Sequence, residues 1–294
     1  MKPRPPVTTQ VVPAHPANGR RCGSMERHSI ERARTRDRHW LRRDLSRSAD
    51  VDADEYRRMA AAGEHHWWYV ATRQLLEQLV LPHLAPPTTR TRYLDAAGGS
   101  GATGRWLAAR APTLVDDVDE DSVRYAAAAG YRPVVADLNA LPHPDRVFDA
   151  VLCVTALCHR MNADPVATVR EMARVTKPGG AVALMEPGVR RLRRGHDRVT
   201  HTARRFSRSD LADLLRGAGL DVVRATGAYA FLVPPAAVLA VVERGRTTSD
   251  VGRNQSGLGG VLPALARAER AMLAHVDLPT GLSVIAIAIR PAAE

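Results

Sequence analysis

The chain has 294 residues, 45% of them hydrophobic and 4% aromatic, with a net charge of +11 and three cysteines. That is enough apolar sequence for one large core without metals, and Cys22, Cys153 and Cys158 are too few and too scattered for a disulfide framework, so a reducing, cytoplasmic setting is expected. Most of the net charge lies in residues 1–50, where twelve basic against five acidic residues give +7 of the +11, and nearly all the basic residues of the chain are arginine, with Lys2 and Lys177 the exceptions, which reads as compositional bias rather than as a phosphate-binding surface.

Residues 1–50 are rich in Pro, Arg, Ser and Thr without periodicity and predict a disordered basic tail; its Arg20-Arg21 pair lacks the apolar core of an export signal. Over 51–88, Tyr56, Met59, Trp67, Val70, Leu75, Leu76 and Leu79 recur at helical spacing until Pro86-Pro87, predicting two helices. Within them, Glu64-His65-His66-Trp67-Trp68-Tyr69 followed by Arg73 suits either a lid over a site or plain core packing. The main domain is expected over 89–294. Short apolar runs at 93–97, 113–118, 133–138, 148–154 and 181–187 alternate with amphipathic helices at 103–111, 120–129 and 164–176, a pattern that specifies a parallel sheet with helices on both faces. A helix at 207–219, a strand at 220–225, a helical insertion at about 234–278 and a strand at 282–290 follow. The longest apolar run, 228–242, is short and interrupted by Pro234 and Pro235, so no membrane span is expected.

The first strand ends in Asp95-Ala96-Ala97-Gly98-Gly99-Ser100-Gly101-Ala102-Thr103-Gly104, directly before a helix. In a parallel sheet ligands bind at this place, because glycines admit close backbone approach and the helix start offers free N–H groups. Gly99-x-Gly101-x-x-Gly104 also fits a dinucleotide fingerprint, with Asp117 near the ribose position. Charge separates the two readings: Asp95 repels a pyrophosphate and attracts a sulfonium or ammonium, and two unit charges about 5 Å apart at an effective dielectric of about 20 interact by roughly 3 kcal/mol.

The stretch from about Tyr93 to Phe231 resembles the class I S-adenosylmethionine (SAM) dependent methyltransferases, in particular the type 11 group. The resemblance rests on Leu94-Asp95-Ala96-Ala97-Gly98-Gly99-Ser100-Gly101, on Asp117-Val118-Asp119, on Val135-Ala136-Asp137-Leu138 with Leu141-Pro142, on Phe148-Asp149-Ala150-Val151, and on Arg174-Val175-Thr176-Lys177-Pro178-Gly179-Gly180. Ala97 departs from the pattern, standing where the family usually has its first glycine. The resemblance implies a Rossmann-like, doubly wound, seven-stranded sheet, parallel except for an antiparallel C-terminal strand, with SAM as cofactor. It implies that Asp117 binds the ribose hydroxyls, that Asp137 and Leu138 hold the adenine, and that the backbone around Ala97, Gly98, Gly99 and Gly101 contacts the methionine moiety. Asp95 then faces the cationic end, and Val118 and Val154 line the pocket.

Methyl transfer from a sulfonium needs the acceptor held close and in line, with a base only where a proton must leave. After the fourth strand, His159 is the candidate base, since imidazole titrates near neutral pH; a pocket-lining role is the alternative. Arg190, Arg191, Arg193 and Arg194 either clamp an acidic acceptor or form a solvated basic face. No metal site is expected, because the His and Cys residues lack ligand spacing and Cys153 and Cys158 point to opposite faces if both lie in one strand. The leading reading is transfer to a small-molecule oxygen, nitrogen or carbon. A nucleic-acid methyltransferase is the runner-up, disfavoured by the lack of aromatics interleaved with basic residues. A SAM-fold protein without methyl transfer and an NAD-dependent oxidoreductase complete the alternatives. The insertion is apolar enough to cover a lipophilic substrate or to build a homodimer contact.

Overall fold

Alternation of side chains along short apolar strands builds the centre of the molecule. The computed structural model describes residues 53–192, 195–242 and 259–292. The expected basic tail, Arg193, Arg194 and the middle of the insertion lie outside the described residues. The strands are β1 (Tyr93–Ala96), β2 (Thr113–Asp117), β3 (Arg132–Val135), β4 (Phe148–Val154), β5 (Thr176–Pro187), β6 (Asp221–Ala228) and β7 (Ser283–Ile289). They form one sheet in the order β3-β2-β1-β4-β5-β7-β6, parallel except for β7, which runs antiparallel to both β5 and β6.

Helices cover both faces. α1 (Ala53–Ala62) and α2 (Trp67–Val80) precede the sheet; α3 (Arg105–Ala108), α4 (Glu120–Ala128), α5 (Pro165–Val175), α6 (Gly195–Val199) and α7 (Arg208–Gly217) connect the strands; α8 (Val233–Val242) and α9 (Val261–Leu273) lie between β6 and β7. One core layer takes Leu94, Val151, Cys153, Val182, Leu184 and Val284 with residues of α5 and α7. The other takes Tyr93, Leu152, Val154, Ala183, Met185 and Ile285 with residues of α2 and α9. Odd and even positions of the same strands feed opposite layers, as the two-residue period requires.

Three expectations shift. The helix expected at 103–111 contracts to the single turn of α3, because the glycine loop before it runs on to Gly104. β5 begins at Thr176 rather than 181, since Thr176 pairs with Phe148 and the register resumes only at Ala150 with Ala181, leaving Lys177 to Gly180 as a bulge. Cys153 and Cys158 do not lie on opposite faces: β4 stops at Val154, its alternation ends there, and both thiols join the same core layer.

At the carboxyl edge the chain passes so close to itself that side chains are excluded. A Cβ on Gly281 would collide with the backbone of Ala228, one on Gly227 with Thr280, and one on Gly188 with Gly281. Backbone cannot yield as a flexible side chain can. We expect Gly281→Ala to destabilise the fold by about 2 kcal/mol or more, read from urea unfolding midpoints, whereas Gly217→Ala, with open space at its Cβ, stays within about 1 kcal/mol of the wild type or gains stability.

Candidate functional site

The strand order reverses between β1, which continues to β2, and β4, which continues to β5. Loops leaving the carboxyl ends of β1 and β4 therefore diverge and open a crevice, the usual ligand position in an open parallel sheet. The glycine loop forms one wall. Ala97, Gly99 and Gly101 have φ of 54, 58 and 76°, the left-handed region that glycine tolerates and alanine adopts at a cost of about 1 kcal/mol. Gly98 N–H donates to the Asp116 carbonyl at 3.0 Å, which turns the loop back over β2.

Asp95 lies beneath this loop, fully buried. An added Cβ at either Gly98 or Gly104 would strike its carboxyl group, so both positions must stay bare. Among the described residues neither Asp95 oxygen has a hydrogen bond of good geometry, and the Gly104 N–H is the donor that comes into electrostatic reach. Burial pushes its pKa up to about 7, the Asp117 and Asp116 charges add to the rise, and the nearby Gly104 N–H opposes it.

Asp117, at the end of β2, is held more firmly. Gly99 N–H donates to its Oδ2 and Asp119 N–H to its Oδ1, both at 2.9 Å. Burial still raises its pKa to about 6, with the two N–H bonds pulling the other way. Each oxygen keeps a lone pair for a further donor. Asp137, past the end of β3, has Oδ1 taken by the backbone N–H of Asn139 at 2.8 Å and its side-chain amide at 2.9 Å. The neighbouring Leu138 packs against the core, Val118 is partly exposed and Val154 is buried at the end of β4.

On the β4 side, Thr155 turns through φ 53° and donates its N–H to the Met185 carbonyl at 2.7 Å. Glu186, buried on β5, then gathers the N–H groups of Ala156 at 3.0 Å and Leu157 at 2.8 Å on Oε1 and that of Cys158 at 3.1 Å on Oε2. Burial lifts the Glu186 pKa to about 7 against those three donors. His159 Nδ1 meets the Thr200 carbonyl at 2.7 Å and so carries the proton, leaving Nε2 as the acceptor. Burial lowers its pKa, with backbone hydrogen bonds to Thr200 and Thr155 opposing the shift.

The head of α2 reaches the same region. Arg73 donates to the Ala102 carbonyl of the glycine loop at 3.2 Å and to the Glu64 carbonyl at 3.3 Å. Trp67 packs edge-on against Tyr229, whose hydroxyl hydrogen-bonds Thr72 at 2.8 Å. Of the arginines after β5, Arg190 is paired with Asp210 at 2.9 Å and Arg191 is exposed.

Two residues at the site escaped the sequence reading. Tyr131 lies against Gly101, where an added Cβ would strike its ring, and donates its hydroxyl hydrogen to the Gly101 carbonyl at 2.9 Å. Glu186 falls in the sequence only within the apolar run at 181–187, with no sign that it accepts three amides. An acid at a strand end carries no local signal of which loop will fold over it.

Residues 94–184 match the family model described as Methyltransferase domain, Methyltransf_11. Over those residues the chain carries a class I SAM-dependent methyltransferase domain. Demethylmenaquinone methyltransferase of Mycolicibacterium vanbaalenii is 34% identical over 125 residues, 42% of this chain and 50% of its own length. Sterol methyltransferase-like 1 of Botryococcus braunii is 29% identical over 130 residues, 41% of this chain and 33% of its own. The chain thus spans half or less of these relatives. Among solved structures, the 4+2 cyclase SpnF superposes with a TM-score of 0.50 at 22% identity over 76% of this chain and 81% of that one, a likeness of fold. No helix among the described residues is long and apolar enough to cross a membrane.

The acids here have folded-state pKa values above those of an unfolded chain. Their stabilising contribution is complete below about pH 4 and is lost as pH rises through 6 to 7. For Asp95 the rise from 3.8 to about 7 corresponds to a cost on the order of 4 kcal/mol for the charged form. We expect Asp95→Asn to gain stability relative to the wild type between pH 5 and pH 8 in thermal melts of the ligand-free protein; a difference that does not change with pH contradicts this account.

Proposed function

We propose that this protein transfers the methyl group of SAM to a small, lipophilic acceptor, with the cofactor in the crevice between the glycine loop and the β4 loop. The observation that carries the reading is Asp95. A fully buried carboxylate with no hydrogen bond of good geometry to either oxygen is costly in an empty fold, and a cationic ligand beside it offsets that cost where an anionic pyrophosphate would add to it.

SAM supplies an activated methyl group on a positively charged sulfur. The chain's part is to bind and align. Asp117 is oriented by Gly99 and Asp119 and accepts hydrogen bonds from the ribose hydroxyls. Asp137, with Oδ1 held by Asn139, takes the adenine amino group, and Leu138 and Val118 flank the base. Ala97, Gly98, Gly99 and Gly101 let the backbone approach the amino-acid portion, and Val154 lines the floor. His159 Nε2 accepts the proton that an acceptor hydroxyl or acidic carbon gives up, with Nδ1–H anchored on Thr200.

Two observations support a lipophilic acceptor. Trp67, Trp68, Phe231, Leu232 and Leu278, from the head of α2 and the segments after β6, are only partly buried against the core and furnish apolar walls. The two curated relatives bear names that refer to a quinone and to sterols.

Calorimetric titration with SAM, S-adenosylhomocysteine and NAD tests the cofactor. We expect micromolar binding of both adenosyl ligands, no NAD binding, and a loss of at least about tenfold in Asp117→Ala. NAD binding alone sinks the proposal. With an acceptor in hand, His159→Asn is expected to lower kcat by about 100-fold with SAM affinity unchanged; an equal loss of SAM affinity reassigns His159 to positioning the loop.

A further inference from the structure

Large apolar side chains are exposed in few places among the described residues, and most of them belong to the segment between β6 and β7. Val238, Leu239, Val241 and Val242 of α8, Val261, Leu265 and Met272 of α9, and Val276 just beyond it are all exposed, against only Val166 and Val223 elsewhere among the described residues. α8 is the more unusual of the two. Its sequence, Val233-Pro234-Pro235-Ala236-Ala237-Val238-Leu239-Ala240-Val241-Val242, contains no polar residue, and Ala236 is its one buried side chain. A helix that is apolar all round belongs in a core or in lipid, and ten residues are too few to cross a bilayer.

The helix is mounted rather than loose. Glu269 of α9, itself buried, accepts the N–H groups of Tyr229, Ala230 at 2.7 Å and Phe231 at 3.4 Å, which fixes the turn that launches α8. Tyr229 is tied in turn to Thr72 and Trp67 of α2. That turn follows the carboxyl end of β6. β6 runs antiparallel to β7, which runs antiparallel to β5, so α8 starts at the same sheet edge as the glycine loop and the β4 loop. Exposed cations share this edge: Arg160 after β4 and Arg191 after β5, beside Arg190, which is paired with Asp210. In sequence, Glu243, Arg244 and Arg246 follow α8.

We propose that α8, with the exposed apolar residues of α9, docks the protein on an anionic lipid bilayer, inserting its valines and leucine among the acyl chains while arginines meet the headgroups. The proposal rests on the lipophilic-acceptor reading, which it deepens: an acceptor dissolved in the bilayer would enter at the edge that α8 places against the lipid. A surface that combines apolar insertion with positive charge matches a negatively charged bilayer better than a neutral one.

Flotation of the full-length chain with vesicles tests this, using phosphatidylcholine with 30% phosphatidylglycerol and pure phosphatidylcholine in parallel. We expect binding to the anionic vesicles that weakens at high salt, and a fall of about tenfold or more in partitioning for the double variant Val238→Asp, Val241→Asp. Both side chains are exposed, so unchanged thermal melts and SAM affinity show that the variant remains folded. Binding that the variant retains in full overturns the proposal, as does the absence of vesicle binding by a wild type that still binds SAM. A dimer that the double variant abolishes, with no vesicle binding, assigns the surface to a second copy of this chain and also overturns it. Loss of SAM binding in the wild type is a separate failure, that of the methyltransferase reading.

Discussion

Asp95 sits near the end of β1 with no exposed surface, bare glycines on two sides and, among the described residues, no hydrogen bond of good geometry to either oxygen. Most features of the site follow from keeping a carboxyl group there. The loop above it must have no side chains at Gly98 and Gly104, so it must coil tightly, and its coiling delays the helix that follows. The same coiling brings Gly99 N–H onto Asp117 and so orients the second acid. Electrostatically, the charges of Asp117 and Asp116 raise the pKa of Asp95, while Asp117 is offset by the N–H groups of Gly99 and Asp119 and Asp116 by His143 at 2.6 Å. A crevice built this way favours positive charge before any ligand contact is counted.

Much of this was legible in the sequence, because strands and glycine loops are local patterns. The apolar runs located every strand of the sheet, and the alternation of strands with helices specified its parallel character. Asp95 and Asp117 stood out because each ends a strand next to a turn. The remainder depends on contacts between distant segments. Tyr131 meets Gly101 across thirty residues, and Glu186 meets Ala156 across the same separation. Neither has a spacing to betray it. The contraction of α3 and the bulge at Lys177 to Gly180 arise from backbone competition that residue preference does not encode. The two-residue rule placed Cys153 and Cys158 apart only on the premise that the strand continued to Cys158, and it stops at Val154.

The fold likeness to a cyclase and the domain match to methyltransferases mark different levels of specification. The sheet and its switch point supply a crevice, which many chemistries can use. In the proposed reading, the acids and the glycine loop narrow it to a cationic, adenosyl-type ligand. What enters beside that ligand is governed by segments outside the repeating strand-helix core: the head of α2, the β4 loop and the turn after β6.

Glu186 joins two of these parts. One carboxylate on β5 gathers three consecutive amides of the loop that carries His159, while Thr155 at the start of that loop is bonded back to Met185, the neighbour of Glu186. The loop and the strand end are therefore a single mechanical unit. Four hydrogen bonds between the end of β5 and residues 155–158 leave little local slack there, so the His159 loop and the strand end hold one another in place. If the acceptor enters beside this joint as proposed, tolerance for different acceptors comes from the walls around it, and the joint sets the fixed point from which they are measured.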